Sequence, residues 1–198
     1  MPQVTVILPT WNRADWLQKS IESVLVQTFR DFELVVVDDF STDSTAKILA
    51  AYSGKIRSIF LTKNRGVSVA RNAAISTSDS EWIAFLDSDD FWHPEKLQKQ
   101  IAQTKNRPEC PIHFTDEIWI RKGVRVNPKK KHQKKEGWIF KPSLELCLIS
   151  PSTVLLRREL FEIHGLFDET LPICEDYDLW LRLTDRKSTR LNSSHTSI

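Results

Sequence analysis

The chain has 198 residues and a mass of 23.0 kDa, enough for one domain with a substantial core. Hydrophobic residues at 40% and charged residues at 27% describe an ordinary globular protein, and a net charge of +2 is too small to imply a nucleic-acid partner. No apolar stretch approaches the roughly 20 residues of a spanning helix, and a strand-like run directly after the N-terminus predicts no signal peptide. Cys110, Cys147 and Cys174 are odd in number and lack zinc-type spacing, so reduced thiols in a cytoplasmic setting are expected.

In chain order, strand and helix patterns alternate through the first half. Val4 to Leu8 is an apolar, β-branched run closed by Pro9, and Ala14 to Val26 carries Leu17, Ile21, Val24 and Leu25 at helical spacing. Phe32 to Val37 predicts a second strand and Asp43 to Tyr52 a second helix, with Ser41 or Thr42 near its start. Ile56 to Leu61 predicts a third strand, Val67 to Ile75 a third helix and Trp82 to Leu86 a fourth strand. His93 to Lys105, with Pro94 in its first turn, predicts a fourth helix.

Strands apolar on both faces and separated by helices imply an α/β fold with a mostly parallel sheet covered by helices. Ligands of such sheets bind beyond the carboxyl ends of the strands. The polar clusters Pro9-Thr10-Trp11-Asn12, Asp38-Asp39 and Asp87-Ser88-Asp89-Asp90 all follow strands directly, which gathers them at one edge. Three carboxylates within four residues at positions 87–90 repel one another and invite a hard cation such as Mn²⁺ or Mg²⁺. If the segment is extended, alternation points Asp87 and Asp89 the same way with Ser88 opposite, and Asp90 sits in the turn toward Pro94.

The second half reads differently. Ile112 to Ile120 and Val124 to Val126 predict a hairpin around Lys122-Gly123, and Pro128 to Glu136 a basic, solvated loop. Thr153 to Leu156 predicts a strand, Arg157 to Ile163 a helix ending near Gly165, and Glu175 to Leu183 a last helix. Trp119 and Trp138 are expected to be buried. Residues 186–198 are polar and rich in Ser and Thr, predicting a disordered tail, and their abrupt onset suggests truncation or a non-native segment.

Several of these stretches together resemble family-2 glycosyltransferases, inverting nucleotide-sugar enzymes of the GT-A fold. The resemblance rests on Val6-Ile7-Leu8-Pro9-Thr10-Trp11-Asn12-Arg13, Ser23-Val24-Leu25-Val26-Gln27-Thr28-Phe29 and Glu33-Leu34-Val35-Val36-Val37-Asp38-Asp39-Phe40-Ser41-Thr42-Asp43. It continues through Asn64-Arg65-Gly66, Ala70-Arg71-Asn72, Asp87-Ser88-Asp89, Gly165-Leu166-Phe167-Asp168 and Glu175-Asp176-Tyr177-Asp178-Leu179-Trp180, covering roughly residues 3–184 in order.

The resemblance implies one domain over residues 1–185, with a nucleotide-sugar-binding half at 1–107 and an acceptor half at 108–185. It puts Pro9, Thr10 and Asn12 against the nucleotide, Asp39 on a uracil-like base, and Arg71 on the diphosphate or base. It assigns Asp89 to the metal, Asp87 to ribose or metal and Ser88 to the donor site, and makes Glu175 and Asp176 the catalytic acidic pair, with Asp176 the general base. The implied donor is a nucleoside-diphosphate sugar, UDP-type favoured. The acceptor is a glycan, lipid-linked or other hydroxyl of the kind used in cell-envelope polysaccharide, with peripheral contact at the inner membrane face left open.

Other readings stay beside it. Pro9-Thr10-Asn12 also suits a plain strand-to-helix turn, Asp39 a helix cap (a duty Asp43 fits better), Arg71 a surface salt bridge, and Glu175-Asp176 an acidic first helical turn. A nucleotidyltransferase would bring a glycine-rich loop near the first strand, which is missing. A receiver-like domain would end near Lys105 and leave Glu175-Asp176 unexplained. A truncated nucleotide-sugar-binding remnant is the remaining alternative.

Overall fold

The computed structural model of the chain describes residues 1–127, 129, 132–135, 137–185 and 193–196. Its first half runs β1 (Val4–Thr10), α1 (Ala14–Leu25), β2 (Phe32–Asp38), α2 (Thr45–Ala51), β3 (Arg57–Phe60), α3 (Val67–Ile75), β4 (Trp82–Phe85) and α4 (Lys96–Asn106). The second half adds β5 (Ile112–Thr115), β6 (Trp119–Arg121), β7 (Val124–Val126), α5 (Phe140–Ser143) and a 3₁₀ turn (Pro151–Thr153). It continues with β8 (Val154–Arg157), α6 (Glu159–His164), α7 (Glu175–Thr184) and β9 (Ser193–Thr196).

Seven strands form one sheet in the order β3-β2-β1-β4-β8-β5-β9. β1 pairs in parallel with β2 and β4, and β2 with β3, while β8 lies antiparallel between β4 and β5. The expected mostly parallel α/β sheet is therefore present, with one reversed strand among the described residues. Chain order turns back at β1, because β2 and β3 lie on one side of it and β4 on the other. Such a switch opens a crevice at the carboxyl edge.

Alternate residues of the central strands feed separate cores, as strand geometry requires. Ile7, Val35, Val37, Ile83 and Phe85 pack on one face with Ala70, Ala74, Leu179 and Trp180. Val6, Leu8, Leu34, Val36 and Ala84 pack on the other with Leu17, Ile21, Leu49 and Leu97. The strands are apolar throughout because both faces are covered.

Some expectations change. The run from Ile112 to Ile120 is not one strand: β5 is buried along its length, whereas β6 is exposed and pairs only with β7. Asp116 explains the break, since a carboxylate has no place in a strand buried on both faces. Lys122 and Gly123, at φ 50° and 76°, make the hairpin turn expected there. In the basic stretch, Lys134 is buried instead of solvated: its Nζ donates to the Leu148 carbonyl at 2.7 Å and lies 3.2 Å from Glu117. Burial pushes the Glu117 carboxyl up, but Lys134 and the Ser150 hydroxyl outweigh it and hold the group below its ordinary value.

Pro128, Lys130, Lys131 and Glu136 lie outside the described residues, as do residues 186–192 and 197–198 of the expected tail. Against the expectation of a structureless tail, Ser193–Thr196 form β9, parallel to β5. A bare strand edge offers backbone groups to any extended segment, whatever its side chains. All three cysteines are free, and no described helix is long and apolar enough to cross a membrane.

His113, buried in β5, has Nε2 2.8 Å from the Cys110 carbonyl, so Nε2 carries the proton of a neutral ring, which sits edge-on to Trp82. Burial drives its pKa from 6.5 down to about 4, with the Cys110 hydrogen bond opposing. The unfolded chain takes up the proton first, so this contribution to stability is complete above pH 6.5 and lost as pH falls toward 4. It is worth roughly 3 kcal/mol. Denaturant titrations across that interval should show the fall, and His113→Phe should flatten it. An equally steep fall in the variant would assign the acid sensitivity to other groups.

Candidate active site

The carboxyl ends of β1 and β2 form one wall. Pro9 and Thr10 are buried as the last residues of β1, and the Thr10 carbonyl accepts the Asp39 N–H at 2.9 Å. Thr10 Oγ1 is buried with no hydrogen-bond partner. Asn12 adopts a left-handed φ of 50°, which asparagine tolerates. Its N–H donates to Ser41 Oγ and its Oδ1 accepts the Thr42 N–H at 2.8 Å, so it pins the two strand-end loops together. Asp43 accepts the N–H groups of Ala14 and Thr45 at the starts of α1 and α2, taking the capping duty expected of it. Trp11 and Phe40 stay half-exposed beside this junction, and Phe40 holds φ 66°, a strained value for an aromatic residue.

Asp39 is buried at the end of β2, facing the start of α3. The Arg65 N–H donates to its Oδ1 at 2.8 Å and the Gly66 N–H to its Oδ2 at 2.7 Å. Gly66 takes φ 89°, which lets the chain present two successive N–H groups to one carboxylate. Asp39 thus holds the chain leading into the helix after β3 and not the helix next in sequence. Asp38 is tied to the Ser41 N–H.

Arg71 lies in the interior, between the turn after β4 and the start of α7. Its guanidinium side chain is 3% exposed, with one arm donating to Glu175 Oε1 at 2.7 Å and the other to Asp87 Oδ1 at 2.9 Å. It lies over the Phe167 ring at 5.1 Å, and Nε has no partner. The fork, expected on the diphosphate or base, binds two carboxylates here. Neighbouring Asn72 bonds both main-chain groups of Phe167, its Oδ1 accepting N–H at 3.0 Å and its Nδ2 donating to the carbonyl at 2.9 Å. α3 therefore ties β4 to the segment leading into α7.

Residues 87–90 do not continue β4 as an extended chain. The Asp90 N–H donates to the Asp87 carbonyl at 3.0 Å, closing a turn, so the alternation argument for Asp87 and Asp89 fails. Asp87 turns toward Arg71, whereas Asp89 is 53% exposed with Arg13 4.0 Å away. Ser88 is buried, and its carbonyl accepts the Ser20 hydroxyl. Asp90 is more than a bystander: its Oδ2 accepts Ser152 Oγ at 2.6 Å, and the same Oγ accepts the Asp87 N–H at 3.0 Å. Burial raises the Asp90 carboxyl above its ordinary value, with Ser152 opposing and Asp87 and Asp89 adding to the rise.

α7 begins after Cys174, which holds a left-handed φ of 61°. Glu175 is 12% exposed and bound to Arg71, so it does not merely decorate the helix start. Asp178 pairs with Arg182 at 2.9 Å, away from this contact. Asp176 is half-buried; burial raises its carboxyl above the usual aspartate value, and Glu175 and Asp87 add to the rise while the Tyr177 backbone N–H and Arg71 oppose it.

Among the described residues no group of three or more His, Cys, Asp or Glu could hold a metal ion. The donor set still suits a hard cation that keeps other ligands, because Asp89 has solvent-facing oxygens and Asp87 retains the oxygen that Arg71 does not bind. Ser152, which binds both Asp87 and Asp90, carries no signal of this role in the sequence, where it is a lone serine in a Pro-Ser-Thr turn.

Arg71→Lys should cost about 3 kcal/mol of folding stability, nearly as much as Arg71→Met, because an ammonium cannot span two carboxylates. Equilibrium denaturation reads the difference. Full stability in Arg71→Lys would show that the paired geometry is not what matters.

The profile described as Glycosyl transferase family 2 matches residues 5–164. An uncharacterized glycosyltransferase of Rickettsia typhi is 32% identical over 186 residues, covering 91% of this chain and 58% of that protein. TuaG of Bacillus subtilis, named as a glycosyltransferase of teichuronic acid biosynthesis, is 35% identical over 161 residues, covering 80% of this chain and 63% of that protein. The crystal structure of S. aureus TarS in complex with UDP has a TM-score of 0.80 at 25% identity, over 99% of this chain and 60% of that one. The chain spans about three fifths of the length of these relatives. With the family profile running from the first strand through α6 and the fold shared as well, this chain belongs to glycosyl transferase family 2.

Proposed function

We propose that the chain is the donor-binding and catalytic core of an inverting glycosyltransferase. It moves a sugar from a nucleoside-diphosphate sugar to an acceptor hydroxyl. The observation that carries this reading is the Arg71 bridge, which joins Asp87 at the end of β4 to Glu175 beside Asp176. One side of the bridge is the donor side, where Asp89 stays open to solvent; the other holds an aspartate of raised pKa. A UDP-type donor is favoured by the UDP bound to TarS, and an envelope polysaccharide acceptor by the name of TuaG.

In this reading the base and ribose lie against Pro9, Thr10 and Asn12, and Asp39 accepts the base imide N–H with a lone pair left over from its two backbone contacts. Asp87 and Asp89 would hold Mn²⁺ or Mg²⁺, and that ion would supply Lewis-acid stabilisation of charge on the diphosphate leaving group. Asp176 takes the proton of the acceptor hydroxyl as its oxygen forms a bond to the anomeric carbon. The bond from that carbon to the diphosphate oxygen breaks on the opposite face, which inverts the centre. Glu175, held by Arg71, keeps Asp176 in position. A carboxylate raised above its usual pKa is a better proton acceptor near neutrality.

A second reading follows from length. Because the chain covers 58% of a matched relative, it can bind donor and lack part of the acceptor site. Nucleotide release from UDP-sugars with Mn²⁺, paired with UDP binding by calorimetry, separates the two. Asp176→Asn should lower kcat by about 10²–10⁴-fold with UDP affinity unchanged, and Asp89→Asn should abolish metal dependence. UDP binding without turnover would favour the second reading, and unaltered turnover in both variants would sink the catalytic assignment. The rate should rise with pH along an acidic limb whose midpoint lies above the ordinary aspartate value, since Asp176 acts only when ionised.

A further inference from the structure

The β6–β7 ribbon is a two-stranded sheet apart from the main one. Two-stranded ribbons are marginal by themselves and normally rest on something. Here every residue of β6 and the first two of β7 are exposed. Ile120 is 54% and Val124 65% exposed, and Ile118 and Trp119 also reach the surface, although Trp119 was expected in the core.

The pairing sets apolar groups beside cations on both faces. Ile120 lies opposite Arg125 on one, and Arg121 opposite Val124 on the other. Lys122 stands at the turn, and a groove beside the ribbon is lined by Trp119, Arg121, Val126, Lys129 and His132. Arg121, Lys122, Arg125 and Lys129 are exposed, and none forms an ion pair among the described residues. A protein interface usually gathers apolar residues at its centre and polar ones at its rim. This ribbon interleaves them, an arrangement suited to a surface that is fluid, negatively charged and apolar just beneath.

We propose that the β6–β7 ribbon is a docking element for an anionic lipid bilayer. Its arginines and lysines meet headgroup phosphates, and Ile120 and Val124, the most exposed apolar groups of its two strands, enter the boundary between headgroups and acyl chains. Charge complementarity selects this occupant: the ribbon carries cations and aliphatic groups and no carboxylate from Trp119 to Asn127. The inference goes beyond the transfer reaction and does not depend on it.

Co-sedimentation of the full chain with vesicles tests it. Mixed phosphatidylglycerol and phosphatidylcholine vesicles should retain the protein at low salt, and phosphatidylcholine alone should not. Raising the salt should release it, because the attraction is screened. Arg121→Glu with Arg125→Glu, and separately Ile120→Ser with Val124→Ser, should each weaken binding about tenfold or more. All four side chains are exposed, so both double variants should melt as the parent does, and nucleotide binding supplies a second check of folding. Equal retention on neutral vesicles, or parental binding by the charge-reversed variant, overturns the proposal. So does a concentration-dependent dimer that Ile120→Ser with Val124→Ser abolishes, which would give the face to a second copy of the chain.

Discussion

The buried guanidinium of Arg71 is the constraint around which the site is arranged. A cation with almost no contact with water is tolerable only if its partners are close, charged and correctly aimed. Asp87 and Glu175 meet that demand at 2.9 and 2.7 Å, from the turn after β4 and from α7 respectively. Each partner is fixed in turn, because moving either would leave the guanidinium uncompensated in the interior. The aromatic rings of Phe167 and Phe85 close over it and leave it few other geometries. Nine-residue α3 is consequently held at its start by Asp39, in its middle by this ion pair, and beside it by Asn72 on the Phe167 backbone. One short helix connects β2, β4 and the approach to α7.

Ser152 gives the carboxylate turn a second hold. Its hydroxyl accepts from the Asp87 N–H and donates to Asp90, while its carbonyl accepts the Trp92 indole N–H at 2.7 Å. From the other side, Ser20 donates to the carbonyls of Ser88 and Asp90. The turn is thereby held through its backbone and through Asp87 and Asp90, so Asp89 needs no structural partner. Its pairing with Arg13 is exposed and contributes little to stability. A rigid turn with one uncommitted carboxylate is what a ligand-binding position requires.

Much of this was legible in the residues. Strands apolar on both faces, carboxylates directly after them and helical spacing between them predict the sheet and the edge where the polar clusters meet. Misses arose wherever a side chain's duty depends on a partner far away in sequence. Nothing local to Arg71 reveals that its fork is filled by Asp87 and Glu175, the latter 104 residues away. Lys134 looks like one lysine among many until Glu117 and the Leu148 carbonyl surround it. β9 shows the same limit from the opposite side: its polar residues promise no core, yet backbone pairing with β5 needs none. Local pattern specifies elements, and tertiary pairing specifies which polar groups are spent on structure.

That distinction bears on Glu175 and Asp176, adjacent acids of the same first helical turn. Both profit from the helix dipole, and by composition they are interchangeable. Their surroundings are not. Glu175 points at Arg71 and is consumed by the ion pair, while Asp176 is half-buried without a comparable partner, so burial dominates and lifts its pKa. The Glu175 charge then adds to that lift, because it is fixed nearby and cannot swing away. Burial thus does most to raise Asp176, with the fixed Glu175 charge adding to it and Arg71 working against it. The Arg71 bridge therefore connects the two ends of the proposed site, while burial raises the proton affinity at one of them against the opposing charge of Arg71.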